Sequence, residues 1–158
     1  MRMTKPSQCL AAIALALFLP ASLLADAHDD VLAVIMKYAD LEGDLGRQAE
    51  LIRPDRVMIT GLRQTDQARN LELQMAARAA NEAADGGPAK WITEIEDPEV
   101  RIYGNVAVAS MLRRFHIYPT GAAPINAPPH WLTLVLVREG GSWGIAHAHL
   151  SPLWEPPD

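Results

Sequence analysis

The sequence is short of cysteine and of positive charge, and each shortage excludes a class of protein. Its one cysteine, Cys9, lies in an N-terminal leader, so the rest of the chain contains no disulfide. Fourteen Lys and Arg face 19 Asp and Glu, for a formal net charge of −5 at pH 7. Basic residues never run longer than Arg113-Arg114, and we expect no nucleic-acid partner. Nucleophile elbows, P-loops and cysteine–histidine clusters are also missing.

The first 27 residues are typical of a secretory signal peptide. The basic start MRMTKPSQ precedes the apolar run CLAAIALALFLPASLL, and the small residues of ADA follow it. Sixteen apolar residues are short for a membrane helix, which needs about 20. We therefore expect cleavage after Ala27, or after Ala25, and a single domain over residues 28–158. The mature protein is expected to be periplasmic or secreted and to have no membrane span.

Helical patterns occupy the first half of this domain. Asp29 and Asp30 are expected caps for a helix whose apolar stripe is Val31, Val34, Ile35, Tyr38 and Leu41. GRQAELIRPD predicts a short second helix that Pro54 stops, and RVMIT predicts a strand. QTDQARNLELQMAARAANEAADGG predicts a long helix that packs on a sheet through Ala68, Leu71, Met75 and Ala79.

Strands dominate from Lys90 onward. Gly104-Asn105 predicts a tight hairpin turn, and a second hairpin is expected at residues 139–142. The loop PTGAAPINAPP joins the two hairpins and is a candidate lid. Helices followed by antiparallel strands indicate an α+β fold whose curved sheet encloses a pocket.

Three patches in this order resemble the NTF2-like superfamily, which includes ketosteroid isomerase and the SnoaL-like proteins. They are KYADLEGDLGRQAELI, RPDRVMITG and GGSWGIAHAHLSPL. The resemblance implies a cone-shaped barrel, with N-terminal helices packed in a curved antiparallel sheet. It also implies a homodimer formed through the sheet face away from the pocket. This fold hosts many functions, so the resemblance does not identify a reaction.

One position argues against isomerase chemistry. In ketosteroid isomerases a carboxylate base lies on the strand after the second helix, together with an oxyanion-binding tyrosine. The matching position here is Thr60, which cannot abstract a carbon-bound proton at neutral pH. Tyr38 lies near the place of the oxyanion tyrosine.

The last strand contains two histidines one residue apart. Strict alternation places Trp143, Ile145, His147 and His149 on one face, toward the pocket. A metal site would need a third ligand, and only residue type makes His116 or His130 a candidate. We therefore expect no metal and no cofactor. The histidines are instead candidate acid–base groups, with Tyr38 or Asp40, or hydrogen-bonded structural residues.

Arg113 and Arg114 are expected on opposite faces of one strand. The inward arginine then binds a carboxylate ligand or pairs with an acid such as Glu94 or Glu96. The full set of candidate ligand-binding residues is Met58, Trp91, Arg113, His116, Trp131 and Trp143.

We therefore expect a protein that binds a small, largely apolar molecule in the cone pocket. The alternative is an isomerase, dehydratase or hydrolase that uses a pocket histidine as general base with Tyr38. The sequence leaves open whether the chain is an enzyme.

Overall fold

A computed structural model describes residues 21–61 and 63–153. The predicted α+β architecture is confirmed, with helices preceding most of the strands. The helical elements are α1 (Ala21–Asp40), a 3-10 turn (Leu41–Gly43), α2 (Leu45–Ala49) and α3 (Gln67–Asp85). The strands are β1 (Ile52–Thr60), β2 (Arg63–Asp66), β3 (Lys90–Tyr103), β4 (Val106–Tyr118), β5 (Ile125–Asn126), β6 (His130–Glu139) and β7 (Ser142–Pro152).

The strands form one curved, open sheet in the order β2-β1-β7-β6-β4-β3, with the short β5 paired to β4. Neighbours are antiparallel except β1 and β7, which are parallel. The expectation of a purely antiparallel sheet is therefore wrong at this one pair. A parallel pair requires a long connection, and here the chain from α3 through β6 supplies it.

Helix α1 packs in the concave face of the sheet. Val31 and Ile35 are fully buried there, and Tyr38 follows one turn later, as the predicted stripe requires. The helix begins before Asp29 and Asp30, which are exposed within it and do not cap it. None of the helices in the described ranges is long and apolar enough to cross a membrane.

The second helix and the strand after it differ from prediction. Helix α2 ends at Ala49, and β1 begins at Ile52 with Pro54 inside it. The β1–β7 register is interrupted between Ile52 and Val57, which accommodates a residue that has no N–H to donate. Pro54 therefore marks an irregular strand start rather than a helix end.

Helix α3 has the predicted extent, but the predicted packing stripe is wrong. Met75 is 56% exposed, and no side chain of the helix is buried. The helix instead turns a mixed polar face, which includes Asn70, Gln74 and Arg78, toward a cavity. Since α3 turns its polar side chains toward this space, Ala68 and Ala79 of the predicted stripe remain exposed.

Both predicted hairpins are confirmed. Gly104 lies in the left-handed region with φ of 64°, and Gly140 and Gly141 have φ of 58° and 88°. The connecting loop from residue 119 to 129 contributes β5 to the sheet. Its Thr120 Oγ1 donates to the carbonyl of Pro88 at 2.6 Å, which fixes the loop beside the end of α3.

Candidate functional site

A cavity of about 440 Å³ lies between α1, α3 and the concave face of the sheet. Its size is within the roughly 300–1,000 Å³ usual for small-molecule sites. Side chains from both helices, the 3-10 turn and six strands reach it. The wall consists of Tyr38, Glu42, Met58, Thr60, Arg63, Thr65, Asn70, Leu73, Gln74, Ala77, Arg78, Asn81, Trp91, Arg113, Phe115, Ile117, His130 and Leu150.

The structure brings four of the ten candidate residues together on this wall: Tyr38, Met58, Trp91 and Arg113. The other six are not on it. Asp40 is exposed on α1, and Trp131 is 49% exposed on β6. Trp143 is buried in the core cluster. The His116 ring contacts Asn126 at 2.7 Å and Glu94 at 3.4 Å.

The predicted common face for Trp143, Ile145, His147 and His149 is wrong. The β6–β7 register shifts between Val135 and Leu136, whose partners are His147 and Ile145, so Ala146 is an extra residue. One extra residue reverses the facing of every side chain beyond it. Ala148 and Leu150 are therefore buried, while His147 is half-buried and His149 is exposed.

Glu42 lies at the inner end of the cavity and is 3% exposed. Arg78 donates to its Oε1 and its backbone carbonyl, each at 2.5 Å. Thr93 and Gln48 donate to Oε2 at 2.9 and 3.3 Å, and Arg113 Nη2 lies 3.4 Å from the same oxygen. Donors from α2, α3, β3 and β4 thus converge on one carboxylate, so Glu42 is not a free general base.

Each of the two arginines on the cavity wall lies against an aromatic ring of the same wall. The Arg78 guanidinium lies 4.6 Å from the centre of the Trp91 ring, and that of Arg113 lies 4.6 Å from the Phe115 ring. The two rings stack with centres 5.9 Å apart. Planar guanidinium groups over π faces are stabilising and held in place, so this end of the cavity is preorganised.

The orientation of the arginine pair follows from the strand. Arg113 faces inward and Arg114 outward, as predicted. Arg114 pairs with Glu96 at 2.6 Å on the convex face, while Arg113 meets Glu42 rather than Glu94 or Glu96. An ion pair was an expected outcome, but its acidic partner comes from the 3-10 turn.

Tyr38 lies next to a buried arginine. Burial raises the pKa of the Tyr38 hydroxyl, and the nearby Glu42 carboxylate raises it further, while Arg113 and Arg56 oppose the shift. Burial also lowers the pKa of Arg56, which the Tyr38 hydroxyl partly offsets. Tyr38 therefore stays a neutral hydrogen-bond donor on the cavity wall at physiological pH.

His130 is the one histidine of the described ranges that lines the cavity. Its Nδ1 lies 2.7 Å from the carbonyl of Pro128. A carbonyl only accepts, so Nδ1 carries the proton and Nε2 holds the lone pair when the ring is neutral. Within the described residues, no three His, Cys, Asp or Glu side chains gather as metal ligands.

Glu42, Arg78, Phe115 and His130 were not predicted as ligand-contacting residues. Three of them lie where local sequence looks ordinary, in a turn or along a strand. Arg78 had a usable signal, because Asn70, Gln74 and Arg78 recur every four residues and form a polar stripe on an alanine-rich helix.

Known structures share this architecture. An NTF2-like protein with a cystatin-like fold from Novosphingobium aromaticivorans superposes with a TM-score of 0.67 at 17% identity, covering 89% of this chain and 92% of that one. An NTF2-like superfamily protein from Salmonella enterica gives 0.70 at 15% identity, covering 85% and 96%. ActVI-ORFA from Streptomyces coelicolor gives 0.66 at 13% identity, covering 80% and 97%.

At these identities the structural similarity establishes the fold and not the function. None of the curated proteins matches the sequence. The family is established by sequence, because residues 31–155 match the SnoaL-like domain. This chain, with its cone of three helices and one curved sheet, belongs to the SnoaL-like domain family and shares the fold of NTF2-like proteins.

Proposed function

We propose that this protein binds a small, largely apolar molecule in the cone cavity and acts as an exported binding protein. The observation that carries the proposal is a cavity of about 440 Å³ whose only carboxylate in the described residues, Glu42, is already held by protein donors. Met58, Leu73 and Leu150 give much of the remaining wall an apolar character. Such a site offers shape and apolar contact rather than a reactive base.

Thr60 supports the same conclusion. It lies on the cavity wall at the position where the resemblance to ketosteroid isomerases requires a base. A threonine hydroxyl can hydrogen-bond a ligand there but cannot remove a carbon-bound proton at neutral pH.

A cavity-filling variant tests binding. N-phenyl-1-naphthylamine, a neutral apolar probe, should bind the exported protein with a rise in fluorescence. Ala77→Trp places a large ring in the cavity and should weaken binding at least tenfold. Ala76→Trp is the matched control, since Ala76 is the neighbouring residue of the same helix and is not on the cavity wall. An unresponsive wild-type protein, or equal effects of the two variants, would contradict the proposal.

A second candidate function is catalysis by an isomerase, dehydratase or hydrolase with His130 as general base and Tyr38 as acid. The observation that favours it is the hydrogen bond of His130 Nδ1, which leaves Nε2 available to accept a proton. A ligand recovered from the protein in D₂O would gain deuterium at carbon if His130 abstracts a proton. The His130→Ala variant should then leave the ligand unlabelled.

We also propose that two copies pair through the convex face of the sheet. Val57, Val108 and Val135 lie there in one row across three strands, together with His147. Trp131 is exposed on the same face. A row of β-branched side chains with an exposed tryptophan fits a self-complementary interface, as the NTF2-like resemblance implies.

A further inference from the structure

The interior of the cone has more positive than negative charge. The guanidinium groups of Arg78 and Arg113 line its inner end together with one carboxylate, that of Glu42. A third guanidinium group, that of Arg56, is buried beside Tyr38. Glu82, one turn after Arg78 on α3, is half-buried and attracts it from the side. Even with Glu82 included, these three guanidinium groups outnumber the two carboxylates near them.

Glu42 is mainly engaged by Arg78. Arg78 makes two hydrogen bonds of 2.5 Å to this residue, whereas Arg113 approaches it only at 3.4 Å. The closer partner of Arg113 Nη2 is the Thr93 hydroxyl at 3.0 Å. Nε and Nη1 of Arg113 make no hydrogen bond to any described residue, so this guanidinium retains donors for a ligand.

Arg56 adds a charge that the described residues do not neutralise. It is 1% exposed, and its Nε and Nη2 are buried with no hydrogen-bond partner in residues 21–61 and 63–153. It lies beside Tyr38, which is itself on the cavity wall. Buried cations of this kind are costly unless an anion lies near, so the region favours negative charge in the cavity.

We propose that the bound molecule is a small aromatic acid whose carboxylate is held by Arg113 at the inner end of the cavity. This rests on the proposed function, since it names the ligand class for the same site. The aromatic body would lie along Phe115 and Trp91, and the carboxylate would accept from Arg113 and Tyr38. One ligand would then contact both the positively charged inner end and the aromatic wall of the cavity.

Matched acid and amide pairs test this directly. Benzoic, phenylacetic, 2-naphthoic and indole-3-acetic acids are titrated into the protein by calorimetry beside their primary amides. We expect at least one acid to bind tenfold or more tightly than its amide. Arg113→Gln should remove that preference. Arg114→Gln should keep it, because Arg114 is on the convex face of the same strand and pairs with Glu96.

The outcomes separate this inference from the proposed function. Binding of the neutral probe without any acid preference would overturn the carboxylate assignment and leave apolar binding intact. Failure of acids, amides and probe together would overturn both. Retention of the preference in Arg113→Gln would remove Arg113 from the site. If that variant does not fold, NMR of the wild-type protein with labelled arginine tests the assignment instead. Addition of the acid, but not of its amide, should shift one arginine Nε–Hε resonance.

Discussion

One terminal nitrogen of Arg78 donates a hydrogen bond to the Glu42 carboxylate, and the other donates to the Glu42 backbone carbonyl, each at 2.5 Å. This double contact joins α3 to the turn after α1. Helix α3 has no buried side chain, so apolar burial does little to hold it. The Arg78–Glu42 pair is therefore both part of the cavity wall and a tether of the helix that closes it.

Glu42→Gln should reveal this role. The amide keeps the shape but removes the charge that compensates Arg78, and breaking a buried pair costs about 3 kcal/mol. We expect a loss of that size in the free energy of unfolding, measured in urea. Glu96→Gln is the control, because its partner Arg114 is on the half-exposed convex face, where a pair contributes about 0.5 kcal/mol or less. Equal losses of unfolding free energy in the two variants would contradict a tethering role for the Arg78–Glu42 pair.

Tyr38 predicts a specific response to alkaline pH. Its pKa in the folded protein is raised above the ordinary value of 10, so the unfolded chain releases this proton first as the pH rises. The contribution to stability is complete below about pH 10 and is lost as the pH rises through the folded pKa. Urea unfolding from pH 8 to 11 should show a decline in wild type that is smaller in Tyr38→Phe. An equal decline in the free energy of unfolding of wild type and Tyr38→Phe would show that Tyr38 is in contact with solvent.

Local features of the fold were predictable because local physics determines them. Gly104 and Gly140 take a positive φ that few other residues tolerate, and each marks a hairpin turn. The spacing of Val31, Ile35 and Tyr38 fixes which face of α1 is buried.

The site was less predictable for two reasons. The partners of Glu42 come from four elements, up to 71 residues away along the chain, and no local pattern encodes such a meeting. The second reason is the bulge at Ala146, since alternation holds only for an uninterrupted ladder. No residue type near Ala146 announces the interruption, and a single extra residue moved both histidines away from the cavity.

The exposure of His149 makes its substitution informative. His149→Ala should change the free energy of unfolding by about 0.5 kcal/mol or less, as for other surface positions. It should also leave the affinity for the neutral probe unchanged. His130→Ala should alter that affinity, because His130 is on the wall. Loss of probe binding in His149→Ala alone would restore the original prediction for the last strand.

The proposed dimer predicts a charge-sensitive face. Val135→Arg places a cation in the centre of the valine row, where pairing would bury it without a partner. We expect the dimer dissociation constant, measured by sedimentation, to rise roughly 100-fold or more. Ala76→Arg, on the exposed side of α3, should leave it unchanged. A Val135→Arg protein that remains dimeric would exclude this face as the interface.

The predicted cleavage site of the leader bears on the stability of the fold. Ala27 is 6% exposed and belongs to the core cluster with Val31. The proposed cleavage after Ala27 would remove this methyl group, whereas the proposed cleavage after Ala25 would retain it. One buried methyl contributes about 1 kcal/mol. We expect the denatured mass of the chain exported by its host to correspond to loss of 25 or 27 residues. A chain that begins at Asp26 should unfold at higher urea concentration than one that begins at His28. An unprocessed mass would contradict export, and equal unfolding midpoints would show that Ala27 adds nothing to the core.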